Sequence, residues 1–199
     1  MPPNPTTTPP ATGLSLAADL RATLSYLPKG VTVLTTVGPT GPVGMTTSAV
    51  NSLSLEPPLV LACLANHSTT LELVRHHGAF AINVLPHDGT ALSETFATGP
   101  LPDRFIGVSH HTRHGVPVLD DALAWITCTV HATYPGGDHI ILTGLVERMH
   151  HASSGSAMVH FARSFRGRLA FSHELHFPGI VKPMREDGSI GIEFDAVVS

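Results

Sequence analysis

The sequence is short of charge. Only 13% of its 199 residues are Asp, Glu, Lys or Arg, whereas 42% are hydrophobic, and the mean hydropathy is +0.19. The formal net charge is −4, so there is no excess of Lys and Arg to neutralise a phosphate backbone, and no nucleic-acid partner is expected. Because so apolar a chain needs a large core or a subunit interface to remove its surface from water, we expect one main domain that forms a homo-oligomer.

Cysteine is also scarce. Cys63 and Cys128 lie singly in apolar runs rather than in a CxxC pair, which indicates free thiols in a reducing compartment and favours a cytoplasmic protein. No apolar run approaches the roughly 20 residues that span a membrane, so no membrane association is expected. The opening segment MPPNPTTTPPATG lacks the basic and apolar regions of a signal peptide, and we expect residues 1–13 to form a disordered tail.

Two kinds of binding motif are missing as well. The chain has 14 histidines, several of them in clusters, but none of the clusters has metal-ligand spacing with a matching second half, so no metal is predicted. No GxGxxG turn follows a strand and opens a helix, which excludes a Rossmann-type dinucleotide site. A nucleotide would therefore have to bind in another way.

The pattern of apolar residues predicts many strands and few helices. Helical spacing occurs over 14–27, 69–78 and 88–97. Runs rich in Val, Ile and Thr predict strands at 31–37, 43–50, 59–65, 79–85, 123–133 and 138–147. Because short turns join these strands, a mostly antiparallel, closed or partly closed barrel is favoured over a doubly wound α/β sheet. We expect one domain over 14–171 and a C-terminal extension over 172–199 with one further strand.

Two segments could bind a planar or phosphorylated ligand. GPVGMTTSAV, from Gly41, carries small residues and hydroxyls that leave main-chain amides approachable, although threonine is also an ordinary strand former. Ser68, Thr69 and Thr70 stand at the start of a predicted helix, where unpaired amides favour an anion such as phosphate, although they are also ordinary helix caps. The residues alone leave both alternatives open.

A third segment, YPGGDHIILTG, joins the two longest predicted strands. Gly136 and Gly137 are typical of a tight hairpin, with Asp138 stabilising the turn. The alternative is that His139 is a functional group held at a sheet edge beside a ligand, because an imidazole exchanges protons near neutral pH. The local sequence is compatible with both.

Other notable side chains have structural interpretations. Trp125 alternates with apolar neighbours and is expected in the core. Asn83 either faces a ligand or is a hydrogen-bonded core amide. Asp103 and Arg104 are expected to form an exposed ion pair.

Taken in order, these segments resemble the flavin reductase family, the short FMN- or FAD-using reductases that serve two-component monooxygenases. The resemblance runs from about residue 20 to residue 169, and it rests most on SLEPPLVL and GGDHIILTG occurring together in this order. The stretch CTVHATYPGGDHIILTG is most similar to the reductase partners of aromatic polyketide monooxygenases. The resemblance implies a mainly β fold, a six-stranded antiparallel Greek-key split barrel with a few peripheral helices, which dimerises with the flavin near the dimer interface.

The resemblance also implies a reaction. The expected activity is that of an NAD(P)H:flavin oxidoreductase, which transfers a hydride from NADH or NADPH to FMN or FAD and supplies reduced flavin to a partner monooxygenase. Two alternatives remain: a flavoprotein that keeps its flavin and acts directly as an oxygenase or oxidase, and a flavin-binding module without catalysis.

Site residues follow from the positions that match the family motifs. Contacts with the flavin ring are implied for Gly44, Met45, Thr46, Thr47, Ser48, Cys63, Leu64 and Ala65. Thr69 and Thr70 match the phosphate side, where relatives often carry Arg or Lys, so looser phosphate binding is expected. The positions that match the pyridine-nucleotide site are Asp138, His139, Arg166 and Arg168, and His139 is the expected catalytic residue. Leu169 stands where relatives often have an aromatic residue.

Overall fold

The computed structural model describes residues 13–162 and 164–171, with side chains described over 16–162. The helices are α1 (Gly13–Leu24), α2 (Thr69–His77), α3 (Thr90–Thr98) and a 3₁₀ turn, Leu101–Asp103. The strands are β1 (Lys29–Gly30), β2 (Thr32–Gly38), β3 (Gly41–Thr47), β4 (Val50–Leu55), β5 (Pro58–Ala65), β6 (Ala79–Val84), β7 (His110–Arg113), β8 (Val116–Leu119), β9 (Ala124–Gly136), β10 (His139–His151), β11 (Gly155–Phe161) and β12 (Ser164–Phe171). None of the described helices is long and apolar enough to cross a membrane.

The fold is mainly β, as predicted, with antiparallel strand pairs and few helices. Its principal sheet has seven strands in the order β3-β2-β6-β9-β10-β5-β4, where the resemblance implies six. Two smaller sheets, β1-β11-β12 and β7-β8, flank it. The edge strands β3 and β4 are separated in the chain by only residues 48 and 49, so the two edges approach each other there. The Cys63 amide of β5 donates to the Ala49 carbonyl at 2.8 Å, which ties this connection to β5, the strand beside β4.

The predicted helices and strands are present with small changes of boundary. Helix α1 ends at Leu24 rather than at residue 27, and the predicted strand 43–50 ends at Thr47, with β4 beginning at Val50. The loop predicted up to Gly115 instead contains strand β7. Strands β1, β8, β11 and β12 and most of β4 were also not predicted. The strand predicted at 189–198 lies outside the described residues, as do 1–12 and 172–199.

The main core lies between the principal sheet and α2. Leu34, Phe80 and Leu142 from the sheet are fully buried, and Leu71 and Val74 of α2 pack against them. Helix α2 begins at the N-cap Ser68, whose hydroxyl accepts a hydrogen bond from the Leu71 amide, and it ends at Gly78. The core thereby fixes the position of the first turn of α2 relative to the sheet.

Gly144 in β10 lies where this core is tightest. A Cβ atom at this position would meet Phe80 Cζ at 2.4 Å and Cys128 Cβ at 2.7 Å, closer than real Cβ atoms come to their neighbours. Gly144 pairs with Val130 on β9 and with Val60 on β5. Because no side chain fits beneath Phe80, this glycine fixes the register of three strands.

Three predictions about single side chains have different outcomes. Asn83 is a core amide: its Nδ2 donates to the Val33 carbonyl and its Oδ1 accepts from the Leu119 amide, so it does not face a ligand. Trp125 is half-buried rather than a full core residue. The predicted ion pair of Asp103 with Arg104 is wrong, because Arg104 donates instead to main-chain carbonyls in another part of the fold.

Candidate functional site

The turn between β9 and β10 holds the predicted catalytic histidine. Of its two glycines only Gly137 has a positive φ, +77°, while Gly136 is the last residue of β9, which is the pattern of a type II′ hairpin with glycine at the first central position. Asn66 braces the turn from the end of β5: its Nδ2 donates to the Gly137 carbonyl at 3.0 Å and its amide to the Asp138 carbonyl at 3.0 Å. Asn66 therefore holds the turn through two hydrogen bonds.

Asp138 and His139 interact through their side chains. His139 Nδ1 lies 2.7 Å from Asp138 Oδ1, and this hydrogen bond is the main reason that the pKa of Asp138 is lowered from its usual value. Because an ionised carboxylate can only accept, Nδ1 carries the proton and Nε2 is left to bind or exchange a proton with a ligand. The pair is open to solvent, with 46% of the His139 side chain and 94% of the Asp138 side chain exposed.

His139 opens into a cleft of about 720 Å³, which we call the α1 cleft. Its lining includes Leu20, Arg21, Lys29, Ser48, Asp138 and His139. Helix α1 forms one wall, and the hairpin turn together with the bend after β3 forms another. Predicted ring-side and nicotinamide-side residues, Ser48 and His139, thus share one cavity.

A smaller cavity of about 290 Å³, the α2 pocket, adjoins the first turn of α2. Its lining includes Met45, Thr46, Ala65, Thr69, Thr70 and Arg104. Among residues 13–162, no acceptor is paired with the main-chain amides of Thr69 and Thr70, which lie at the positive end of the helix. The pocket therefore offers donors to an anion, as the sequence predicts for this segment.

Arg104 brings a positive charge to the α2 pocket. Its Nη1 donates to the Gly44 carbonyl at 2.8 Å and its Nε to the Gly99 carbonyl at 2.9 Å, and burial lowers the pKa of the guanidinium. These bonds hold the side chain against β3. A cation thus lines the α2 pocket, although not at the positions of Thr69 and Thr70.

The two cavities are neighbours across paired strands. His139, which lines the α1 cleft, is directly opposite Ala65, which lines the α2 pocket. Thr46 of β3 lines the α2 pocket, and Ser48, in the bend directly after β3, lines the α1 cleft. The structure therefore brings together candidate residues from β3, β5, α2 and the hairpin.

Other predicted ring contacts are restricted by packing. Leu64 is 1% exposed and belongs to the core, and a Cβ on Gly44 would meet the Phe96 ring at 2.9 Å, so at most the main chain at these positions reaches a ligand. The Thr46 hydroxyl donates to the Ser93 carbonyl at 2.7 Å, and that of Thr47 accepts from the Ala49 amide. Cys63 is half-buried, on the opposite side of β5 from the core.

Arg166 and Arg168 lie on β12, where the Arg168 backbone pairs with Met158 of β11. Their side chains fall outside the described residues. Within the described part of the chain, no cluster of three His, Cys, Asp or Glu side chains could hold a metal ion.

Sequence reasoning missed several residues around the two cavities. The sequence motifs assign no role to Arg21 or Lys29. The docking of α1 brings Arg21 to the cleft, and the pairing of β1 with β11 brings Lys29 there. Asn66 and Arg104 both act through main-chain carbonyls that are distant in sequence. For Asn66 a signal existed, since it directly follows a strand and precedes the helix cap.

Comparison with known proteins gives a consistent result. Residues 24–168 match the family model described as "Flavin reductase like domain". The "Actinorhodin polyketide dimerase" of Streptomyces coelicolor is 41% identical over 155 residues, which are 75% of this chain and 87% of that protein. The "Flavin reductase (NADH)" of Kitasatospora aureofaciens is 41% identical over 152 residues, covering 73% of this chain and 79% of that protein.

Solved structures extend the comparison to three dimensions. The NADH:FAD oxidoreductase of Streptomyces globisporus, in complex with NAD and FAD fragments, superposes with a TM-score of 0.72 at 30% identity. The match covers 80% of this chain and 95% of that one.

Proposed function

The chain belongs to the flavin reductase like family, and from this premise we propose that it is an NAD(P)H:flavin oxidoreductase that supplies reduced FMN or FAD to a partner monooxygenase. The observation that carries the proposal is the adjacency of the two cavities. The imidazole of His139 and Ser48, which follows β3, line the α1 cleft. The N-terminus of α2, which offers main-chain amides to an anion, lines the α2 pocket. NADH is the proposed reductant, since the relatives that name a reductant name NADH.

The residues present fit a flavin. The amides at Thr69 and Thr70 and the guanidinium of Arg104 would hold a phosphate in the α2 pocket, because helix starts and arginine both favour phosphate oxygens. The main chain from Met45 to Ser48 would lie along the ring and donate to its polar edge. Since hydroxyls stand where a second cation is common, the flavin is held loosely enough to be released.

The chain contributes position rather than redox chemistry. Bound flavin and nicotinamide supply the hydride transfer. Asp138 keeps the proton of His139 on Nδ1, so that Nε2 would be available to a bound pyridine nucleotide as a hydrogen-bonding or proton-exchanging atom. Leu20 and Leu24 of α1 give the cleft an apolar wall that reduces the access of water to the bound rings.

We also propose that the active form is a homodimer built on a curled, split barrel. Support for closure comes from the two-residue connection between the edge strands β3 and β4. Support for dimerisation comes from apolar residues that the single chain leaves uncovered: Leu16 is 63% and Leu55 94% exposed, and Leu59 and Leu61 on the outer side of β5 are only half-buried. Size-exclusion chromatography with light scattering tests the dimer, and a monomer at micromolar concentration would contradict it.

The partner and the compartment belong to the same proposal. The relative named for polyketide dimerisation supports a partner oxygenase that acts on a polyketide. Two free cysteines, of which Cys128 has its pKa raised to about 12 by burial, support a reducing cytoplasm.

The deciding experiment is anaerobic oxidation of NADH or NADPH by the purified protein, with riboflavin, FMN or FAD added in turn. We expect loss of NADH absorbance and bleaching of the flavin together. No bleaching with any flavin would leave only a binding module. Gel filtration with flavin separates the remaining alternative, because flavin that stays bound through dilution indicates a flavoprotein that acts directly on oxygen or substrate.

A further inference from the structure

The α1 cleft carries more positive charge than the chain as a whole. The formal net charge of the chain is −4, yet the described charged lining of this cleft combines Arg21 and Lys29 with a single carboxylate, Asp138. That carboxylate is already hydrogen-bonded to His139. The cleft therefore favours an anionic ligand, and the sequence motifs assign no role to either cation.

Both cations are placed by elements outside the hairpin. Arg21 lies in the last turn of α1, and its charge reaches Asp138, whose pKa it helps to lower. Lys29 lies on β1, directly opposite His160 of β11, so its backbone is fixed by the small three-stranded sheet. The two cations thus face the imidazole from a different part of the fold.

The phosphate of the flavin already has a proposed place outside the α1 cleft. The α2 pocket supplies separate donors for that group, with Arg104 beside the first turn of α2. A cleft of about 720 Å³ lies within the range that holds a small-molecule cofactor. A second anionic ligand, bound next to His139, is what remains for Arg21 and Lys29.

We infer that Arg21 and Lys29 bind the diphosphate of the pyridine nucleotide, so that its nicotinamide is directed toward His139. The inference rests on the proposed function. An arginine donates in pairs to phosphate oxygens and a lysine acts as a compact point charge, so together they match the two charges of a diphosphate. In a fold without a Rossmann turn, these side chains replace the helix start that usually binds a dinucleotide.

The test compares Arg21→Gln, Lys29→Gln and the double variant with Arg75→Gln. Arg75 is an exposed cation in the last turn of α2 and serves as the matched control, and thermal unfolding verifies that each variant folds. Two quantities are measured: the Kd of NADH for the flavin-free protein, by titration calorimetry, and the KM values for NADH, NADPH and flavin.

We expect the Kd and KM for NADH to rise about tenfold for each single variant, as for the loss of a charge-assisted hydrogen bond. The double variant should show the largest rise in the Kd and KM for NADH, and the KM for NADPH should rise by the same factor. The kcat and the KM for flavin should stay within about twofold of the wild type. Added salt should weaken NADH binding to the wild type more than to the double variant.

Three results would overturn the inference. The first is that the variants change NADH affinity no more than Arg75→Gln does. The second is a loss of affinity for NADPH alone, which would indicate binding of the 2′-phosphate, and the third is a loss of affinity for flavin alone. Failure of the proposed function would look different. A wild-type protein that binds NADH through these two cations but reduces no flavin would support the inference and reject the reductase.

Discussion

The described residues contain two histidine–aspartate pairs in different surroundings, and comparing them distinguishes a proposed functional role from a structural one. His139 and Asp138 are neighbours in sequence, 2.7 Å apart, and they open into the α1 cleft. His111 and Asp120 are nine residues apart and 2.5 Å from each other, and they join β7 to the segment after β8.

The surroundings of the second pair are structural. The other carboxylate oxygen of Asp120 accepts from the Ser109 hydroxyl at 2.7 Å, and the His111 ring packs edge-on against Trp125. A bond between adjacent residues, as in the first pair, closes no loop and therefore orients the imidazole rather than the chain. The same two types of side chain are thus assigned to the proposed site in one place and to the fold in the other.

The largest contrast is expected from removing each imidazole. His139→Ala should lower kcat/KM for NADH by about 10²-fold, the usual size of a lost proton-exchanging or orienting group. His111→Ala should leave it within about twofold. Stopped-flow reduction of flavin under anaerobic conditions measures both, and equal losses in the two variants would remove the distinction.

A smaller contrast is expected from the carboxylates. Asp138→Asn should lower kcat/KM for NADH by about tenfold and change the shape of its pH dependence, because His139 is then free to adopt the other tautomer. Asp120→Asn should change neither. A rate profile for Asp138→Asn that superposes on the wild type would show that the pair has no part in orienting the imidazole.

For stability, in contrast to activity, the effect is expected at Asp120. The hydrogen bonds from His111 and Ser109 lower the pKa of Asp120 in the folded protein. The carboxylate therefore contributes its full stabilisation at any pH above its pKa in the unfolded chain, and this stabilisation is lost as the pH falls through its pKa in the folded protein. Asp120→Asn should therefore reduce the free energy of unfolding at pH 7 by less than about 1 kcal/mol, because solvent screens so exposed a pair. In urea unfolding, the difference in free energy of unfolding between the wild type and Asp120→Asn should shrink at acid pH. A difference that does not change with pH would contradict the stabilising role of the Asp120 carboxylate.

The smallest effect is expected on flavin affinity. Neither His139→Ala nor His111→Ala should change the Kd of FMN or FAD by more than about twofold, since the donors proposed for the phosphate lie in the α2 pocket. Fluorescence titration of flavin measures this. A large loss for His139→Ala alone would move the imidazole from the nicotinamide to the flavin.

The strands of the core could be predicted because runs of Val, Ile and Thr are typical of buried strands. The β7–β8 hairpin could not, since β7 is polar and exposed and Pro117 argues against a strand. Its turn does carry a signal: His114 and Gly115 both have positive φ, as Asn-Gly pairs do in tight hairpins.

The site was predictable where it depends on turns and strand ends, and not where it depends on docking. The hairpin with Asp138 and His139 is local, and its motif suffices. Nothing local determines where α1 lies, because apolar side chains such as Leu20 remain 55% exposed even after it folds. Arg104 was paired with its neighbour in sequence, whereas its carbonyl partner at Gly44 is 60 residues away.

The bare Cα of Gly144 has a consequence for anyone who re-engineers the hairpin. Since strand side chains alternate between faces, inserting or deleting one residue between Gly144 and the turn would rotate the imidazole to the opposite side of the sheet. Changes of two residues preserve its direction and merely lengthen or shorten its reach. Loop grafts on this scaffold should therefore come in even steps.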